Sequence, residues 1–189
     1  MPMLIAVTLM WAFSFSLIGV YLAGQVDAWF SVLIRVALAT LVFLPFLKLG
    51  QIKVKVALQL MLCGAFQLGI MYGFYYQSFL YLSVPEVLLF TVMTPIYITL
   101  FNDLLDRQLN IGFIFSSLLA VIGAITIRYQ GIDEGFLTGL LIVQAANICF
   151  AVGQVSYKRT LAKEPTDLPQ RTVFGWFFIG ALTVVTPCY

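Results

Sequence analysis

Long uncharged stretches alternate with short polar connectors along the whole chain. Residues 3–26 carry no charge at all. A secretory h-region runs only about 7–15 residues, and here no basic flank precedes the run and no small-x-small cleavage pattern follows it. A helix needs about 20 apolar residues to cross about 30 Å of hydrocarbon. By that measure seven spanning helices are predicted, at about 4–23, 29–47, 56–76, 85–105, 110–128, 136–157 and 172–189. Residues 56–85 form one uncharged run of 30 positions, too long for a single simple span. The aromatic cluster from Tyr72 to Tyr76 marks where the third span should end. The expected fold class is an all-α polytopic membrane protein.

The polar connectors then fix an orientation. With the N-terminus in the cytoplasm, the inner connectors hold Lys48, Lys53, Lys55, Arg107, Lys158, Arg159, Lys163 and Arg171, and the outer ones hold Arg128 alone. Such a bias is the positive-inside signal, and shifting the count by one helix would scramble it. The connector 160–171, with Pro165 and Pro169, is the expected boundary between two structural units. The last apolar run stops with the chain at Tyr189, and an odd number of spans leaves that end outside. A truncated sequence is the simpler expectation.

Composition agrees with this picture and removes several function classes. Hydrophobic residues make up 62% and charged residues 10% of the chain, against about 25% charged in soluble domains, so lipid must be the solvent. A net charge of +2 offers little to a nucleic acid. Histidine is absent, and with it the commonest general base and metal ligand. Cys63, Cys149 and Cys188 are far apart in apolar runs, which indicates neither a metal site nor a disulfide framework. No GxxxxGK[ST] sequence suggests ATP hydrolysis. No cofactor is expected.

Against this background a few polar residues inside the spans stand out. Arg35 follows the start of the second span by six residues, roughly 9 Å deep at 1.5 Å per residue. An intramembrane charge needs a partner or a watery cavity. A guanidinium fork suits a carboxylate, although an ion pair or snorkelling to the interface would also account for it. Ser31 and Ala39 share its helical face. Glu86, in Val84-Pro85-Glu86 at the start of the fourth span, is the expected partner at the same level. Its position also fits a simple helix start. In the sixth span, Gln144, Asn147, Ala151 and Gln154 recur at spacings that place them on one face, with Lys158 beyond them. That face should look inward, either to a substrate or to neighbouring helices. Gln67 is mid-way along the third span. Ala65, Gly69 and Gly73 form a small-xxx-small ridge suited to packing. Tyr72, Tyr75 and Tyr76 read best as an interfacial aromatic belt, with a cavity lining as the alternative. Pro95, among Thr91, Thr94 and Thr99, should kink the fourth span and let it flex. Trp11, mid-membrane in the first span, should pack inward.

These residues together resemble the EamA branch of the drug/metabolite transporter superfamily. The resemblance is carried by Leu9-Met10-Trp11-Ala12-Phe13-Ser14, by Leu33-Ile34-Arg35-Val36-Ala37-Leu38-Ala39, by Thr94-Pro95-Ile96 and by Val121-Ile122-Gly123-Ala124. Asp106-Arg107 stands where the family usually has Glu-Arg. Further stretches, Tyr21 to Asp27, Leu41 to Leu47, Glu86 to Leu100 and Tyr157-Lys158-Arg159, are similar to the carboxylate/amino acid/amine transporters proposed to carry biotin. The resemblance implies two inverted five-helix repeats, ten helices in all. Residues 1–129 would form the first repeat, and 130–189 the first two helices of a second, incomplete one. A substrate site would then lie between the halves.

The resulting expectation is a secondary transporter in a bacterial inner membrane, moving a small organic solute with a carboxylate. Substrate contacts are expected from Arg35, Glu86, Trp11, Gln67, Tyr72, Tyr76, Thr94, Gln144 and Asn147, with Pro95 as the conformational element. The expected partners are a small-molecule substrate and the lipid bilayer, with a homodimer left open. Amino-acid or metabolite export, lipid-linked flipping and a non-transporting membrane fragment remain as alternatives. An intramembrane enzyme is disfavoured, because no histidine and no pair of deep acids supplies a base.

Overall fold

The computed structural model describes residues 2–47, 50, 52–108, 134–163 and 168–189, together with isolated helical positions between 112 and 126. All regular structure among the described residues is helical. Six helices are long and apolar enough to cross a membrane. They are α1 (Pro2–Leu22), α2 (Ala28–Phe46), α3 (Val54–Ser78), α4 (Val84–Asp106), α5 (Glu134–Ala162) and α6 (Gln170–Cys188). They correspond to six of the seven predicted spans. The remaining one, 110–128, lies outside the described residues except at its isolated helical positions. The all-α polytopic architecture is therefore observed.

Local chemistry sets the ends of these helices. Gly24 reverses the chain after α1 at φ +75°, a left-handed conformation that favours glycine. Three residues later the Asp27 carboxylate accepts a hydrogen bond from the Phe30 N–H at 2.9 Å and caps α2. Pro45 tightens the last turn of α2 into a short 3₁₀ segment, Leu44–Phe46. Ser83, Pro85 and Glu86 open α4 with a capping box.

The centre of the bundle is α3, held between α5 and α6, with α2 laid across α6 and the C-terminal half of α3. Small residues make this possible. A side chain at Gly64 would strike the Phe177 carbonyl, and one at Gly180 would strike the Met61 carbonyl. The backbones of α3 and α6 thus meet directly at two points, the close approach that small residues allow in lipid. The predicted ridge serves the same packing. Gly69 lies against Ala181 and Val184 of α6, Gly73 carries the Trp29 ring of α2, and Ala65 is buried. Gly153 of α5 receives the Gln67 backbone and Cβ.

α1 stands at the edge. Its attachments are near its C-terminal end: Phe15 against Tyr75 at 5.3 Å between ring centroids, and Gly19 against Val84 and Phe79. Here two expectations are corrected. Trp11 does not pack inward; it is 59% exposed and, among the described aromatic rings, meets the edge of Phe15, because α1 meets the described bundle only beyond that level. The tyrosine cluster is not an interfacial belt either. Tyr75 and Tyr76 are buried, 4% and 5% exposed, because α1 covers one and α2 approaches the other.

α4 is two helices in one span. Val84–Thr91 and Thr94–Asp106 are separated by a two-residue break at Val92 and Met93. The cause is Pro95, which offers no N–H to the Thr91 carbonyl and whose ring crowds it. Around the break the backbone switches to tighter bonds, from Val92 N–H to the Leu89 carbonyl and from Met93 N–H to the Phe90 carbonyl, both 3.2 Å. The kink expected at Pro95 is realised as this break, one turn before the proline.

Candidate functional site

Two polar groups occupy the membrane interior of this bundle. The first is built at the break in α4. The Asn147 side-chain amide of α5 lies opposite it and makes three bonds. Nδ2 donates to the Phe90 carbonyl at 3.0 Å and to Gln144 Oε1 at 3.3 Å, and Oδ1 accepts from Thr94 Oγ1 at 3.0 Å. Gln144 Oε1 also accepts from the Tyr97 hydroxyl at 2.9 Å. Asn147 thereby serves a carbonyl at the very place where the helix is interrupted. About two turns further along α5, Gln154 Oε1 accepts from Gln67 Nε2 at 2.7 Å. Gln67 lies in a π-helical segment of α3, Ala65–Ile70, a wide turn of the kind often found at functional sites. The predicted polar face of α5 therefore does look inward.

Two groups of this ladder have no hydrogen-bond partner although they are buried: Gln144 Nε2 and Gln67 Oε1. Leaving a buried donor or acceptor unmade costs about 1–3 kcal/mol. One is a donor and the other an acceptor, and they are at separate levels, because Gln67 lies beside Gln154, about 15 Å along α5 from Gln144.

The second group is around Arg35. Its guanidinium carbon is 4.7 Å from the centre of the Tyr72 ring, a cation–π contact, and Nη1 donates to the Tyr76 hydroxyl at 3.5 Å, a long bond. Tyr72 and Tyr76 themselves meet edge to face, 6.3 Å between centroids. The side chain is half-buried in α2. The expected Arg35–Glu86 pair is not formed. Glu86 Oε2 turns back onto the Ser83 N–H and Ser83 hydroxyl, each at 2.7 Å. The physical reason is local: at the third position of a new helix, a carboxylate satisfies backbone donors that have no partner in the preceding chain. Among the described residues, Arg35 is left with the aromatic neighbours Tyr72 and Tyr76.

The structure thus brings together Gln144, Asn147 and Thr94, and separately Arg35, Tyr72 and Tyr76. It places Gln67 with Gln154, and puts Trp11 and Glu86 outside both groups. Tyr97 was not anticipated. Its signal was its place three residues after Thr94, on the face that meets α5. A third polar cluster, Asn102, Asp106 and Arg159, was also unforeseen. Lys158 was expected to continue the α5 stripe, but it is exposed, and its neighbour Arg159 turns to α4 instead.

The profile of the EamA-like transporter family matches residues 1–129. The chain belongs to the EamA-like transporter family. It is 53% identical over 189 residues to a protein of Pseudomonas aeruginosa named "Probable biotin transporter", an alignment covering 100% of this chain and 66% of that protein. It is 54% identical over 185 residues to the "Biotin transporter" of Salmonella typhimurium, covering 97% of this chain and 61% of that protein. The "Biotin transporter" of Escherichia coli K12 is 53% identical over 185 residues, with the same 97% and 61% coverage. The chain therefore spans less than two thirds of the length of these relatives. No solved structure matches it. For this EamA chain, the six apolar helices and the interrupted fourth span match features common in membrane transporters.

Proposed function

We propose that this EamA chain supplies the binding half of a secondary transporter that carries biotin, or a closely similar carboxylate, across a bacterial inner membrane. One observation carries the substrate class. Arg35 is a half-buried intramembrane cation whose contacts are a phenol ring and a hydroxyl, with no carboxylate among the described residues to neutralise it. An arginine in that state favours an anion, and its fork fits a carboxylate. The names of the relatives in Pseudomonas, Salmonella and Escherichia point to the same compound.

Biotin has a carboxylate at one end of a flexible chain and a ureido ring, with both N–H donors and a carbonyl acceptor, at the other. Arg35, with Tyr72 and Tyr76, takes the carboxylate. Gln144 Nε2, buried without a partner beside Asn147 and Thr94, is the donor for the ureido carbonyl. Pro95 gives α4 the break at which it flexes. The N-terminus is cytoplasmic by the distribution of Lys and Arg. Residues 1–129 act as one five-helix repeat, and 130–189 as the start of its inverted counterpart. The protein acts as a carrier and not as an enzyme.

Uptake of labelled biotin by a transport-deficient host tests this. Arg35→Ala removes a charge-assisted bond worth about 1.5–3 kcal/mol, so apparent affinity should fall about 10- to 150-fold. Arg35→Lys keeps the charge but not the fork and should fall between. Normal uptake by Arg35→Ala at normal membrane levels would make the arginine structural. Absence of biotin uptake by the unaltered protein would remove biotin as substrate.

A further inference from the structure

The half of α4 beyond its break, Thr94–Asp106, is an unusual element. It has no buried residue, it packs chiefly on α5, and it is joined to the rest of α4 through the interrupted turn at Val92 and Met93. Its far end is held by a compact polar clasp. Arg159 Nη2 of α5 donates to Asp106 Oδ1 at 2.6 Å, to Asn102 Oδ1 at 3.0 Å and to the Asn102 carbonyl at 3.2 Å. Asn102 Nδ2 donates in turn to Asp106 Oδ2 at 3.0 Å, so one guanidinium nitrogen binds three oxygens that are themselves tied together. Arg107 then ends the helix in a left-handed turn, and the chain leaves α4 at that point. The clasp is only partly covered, with the Arg159 side chain 33% and the Asp106 side chain 46% exposed.

These facts describe an arm with a hinge at one end and a latch at the other. The hinge is the break that Pro95 imposes, where Asn147 and Thr94 hold exchangeable side-chain bonds in place of helix bonds. The latch is exposed enough for water to compete with it. Partly exposed ion pairs are weak and open readily. We propose that Thr94–Asp106 is the moving gate of the transporter, swinging about Val92–Met93, and that the Arg159–Asp106–Asn102 clasp holds it shut at the end of the bundle that bears Arg107 and Lys158. That end is the cytoplasmic one in the orientation given above. The proposal rests on the transporter function, but the movement can be read without any substrate.

Spin labels at Leu105 on the arm and Val54 at the same end of α3, both exposed, report the opening by pulsed electron resonance in lipid. The native cysteines are first replaced by serine, and helicity is checked by circular dichroism. The intact protein should show one dominant distance. Asp106→Asn and Arg159→Gln should each raise the population at longer distance about tenfold, and Asp106→Arg combined with Arg159→Asp should return it most of the way. Arg159→Lys, which keeps the charge, should give a smaller rise than Arg159→Gln. An unchanged distribution in helical Asp106→Asn and Arg159→Gln variants would overturn the gate, as would a charge exchange that restores nothing. If the arm opens but biotin is not carried, the latch stands and the substrate falls. If biotin is carried and the arm never opens, the reverse holds.

Discussion

Replacing Asn147 by leucine tests whether the interrupted α4 is held by side-chain bonds from α5. Leucine keeps the branching and the number of side-chain heavy atoms, so the change exchanges the polar atoms for methyl groups. Three bonds disappear, those to the Phe90 carbonyl, to Thr94 Oγ1 and to Gln144 Oε1. Two of them cross between helices, and hydrogen bonds between membrane helices average about 0.6 kcal/mol each, so the loss should be about 1.2 kcal/mol, roughly eightfold in the folding equilibrium. Gln154→Met, at the other end of the same face, removes the bond from Gln67 and should cost only about 0.6 kcal/mol. Unfolding in mixed micelles with increasing sodium dodecyl sulfate, followed by far-ultraviolet circular dichroism, measures both. A further comparison isolates the break itself. In a Pro95→Ala background residue 95 regains its N–H, α4 can close its normal helix bonds, and Asn147 becomes less necessary. The cost of Asn147→Leu should then fall by at least half. Equal costs for Asn147→Leu and Gln154→Met, or no change in the Pro95→Ala background, would refute the argument that Asn147 splints a proline break.

Gly180→Leu places a side chain against the Met61 carbonyl and should destabilise the bundle by about 1–3 kcal/mol or more in the same titration. Glu86→Gln keeps acceptor and size at the start of α4, so uptake should stay within about twofold of normal, whereas Ser83→Ala should cost about 1 kcal/mol of stability through loss of the cap. Of single-tryptophan variants in brominated lipid, the one retaining Trp11 should be quenched strongly and the one retaining Trp29, seated on Gly73, much less.

What the amino-acid pattern revealed, and what it hid, follows from range. Spans are a matter of composition over about 20 residues, so α1 to α6 were legible within a few positions. The break at Pro95 was legible because proline acts on its own helix. The inward aspect of Gln144, Asn147 and Gln154 was legible because amides are costly in lipid. Partners were not. Arg35 was matched to Glu86 by depth and charge, but Glu86 had donors one turn away at Ser83, and a local bond forms without waiting for a distant helix. Arg35 found Tyr72 and Tyr76, whose aromatic character had suggested an interface. The clasp of Arg159 with Asp106 joins positions 53 apart. Each member alone reads as an ordinary charge at a helix end, and only the packing of α4 on α5 turns them into a pair.

The direct backbone contact of α3 with α6 also has a consequence for how the chain is made. Gly64 waits for Phe177, and Met61 for Gly180, partners that lie more than 110 residues downstream. At about 5–20 residues per second of synthesis, α3 sits in the bilayer for roughly 6–23 s before its closest neighbour exists. For roughly the first 4–17 s of that interval, until Gln154 is made 87 residues downstream, Gln67 faces lipid or translocon without its partner. The glycines that make the finished seam tight also leave α3 without its own side-chain cover meanwhile, so assembly of this protein should depend on whatever shelters a polar, glycine-rich helix while the ribosome completes the rest.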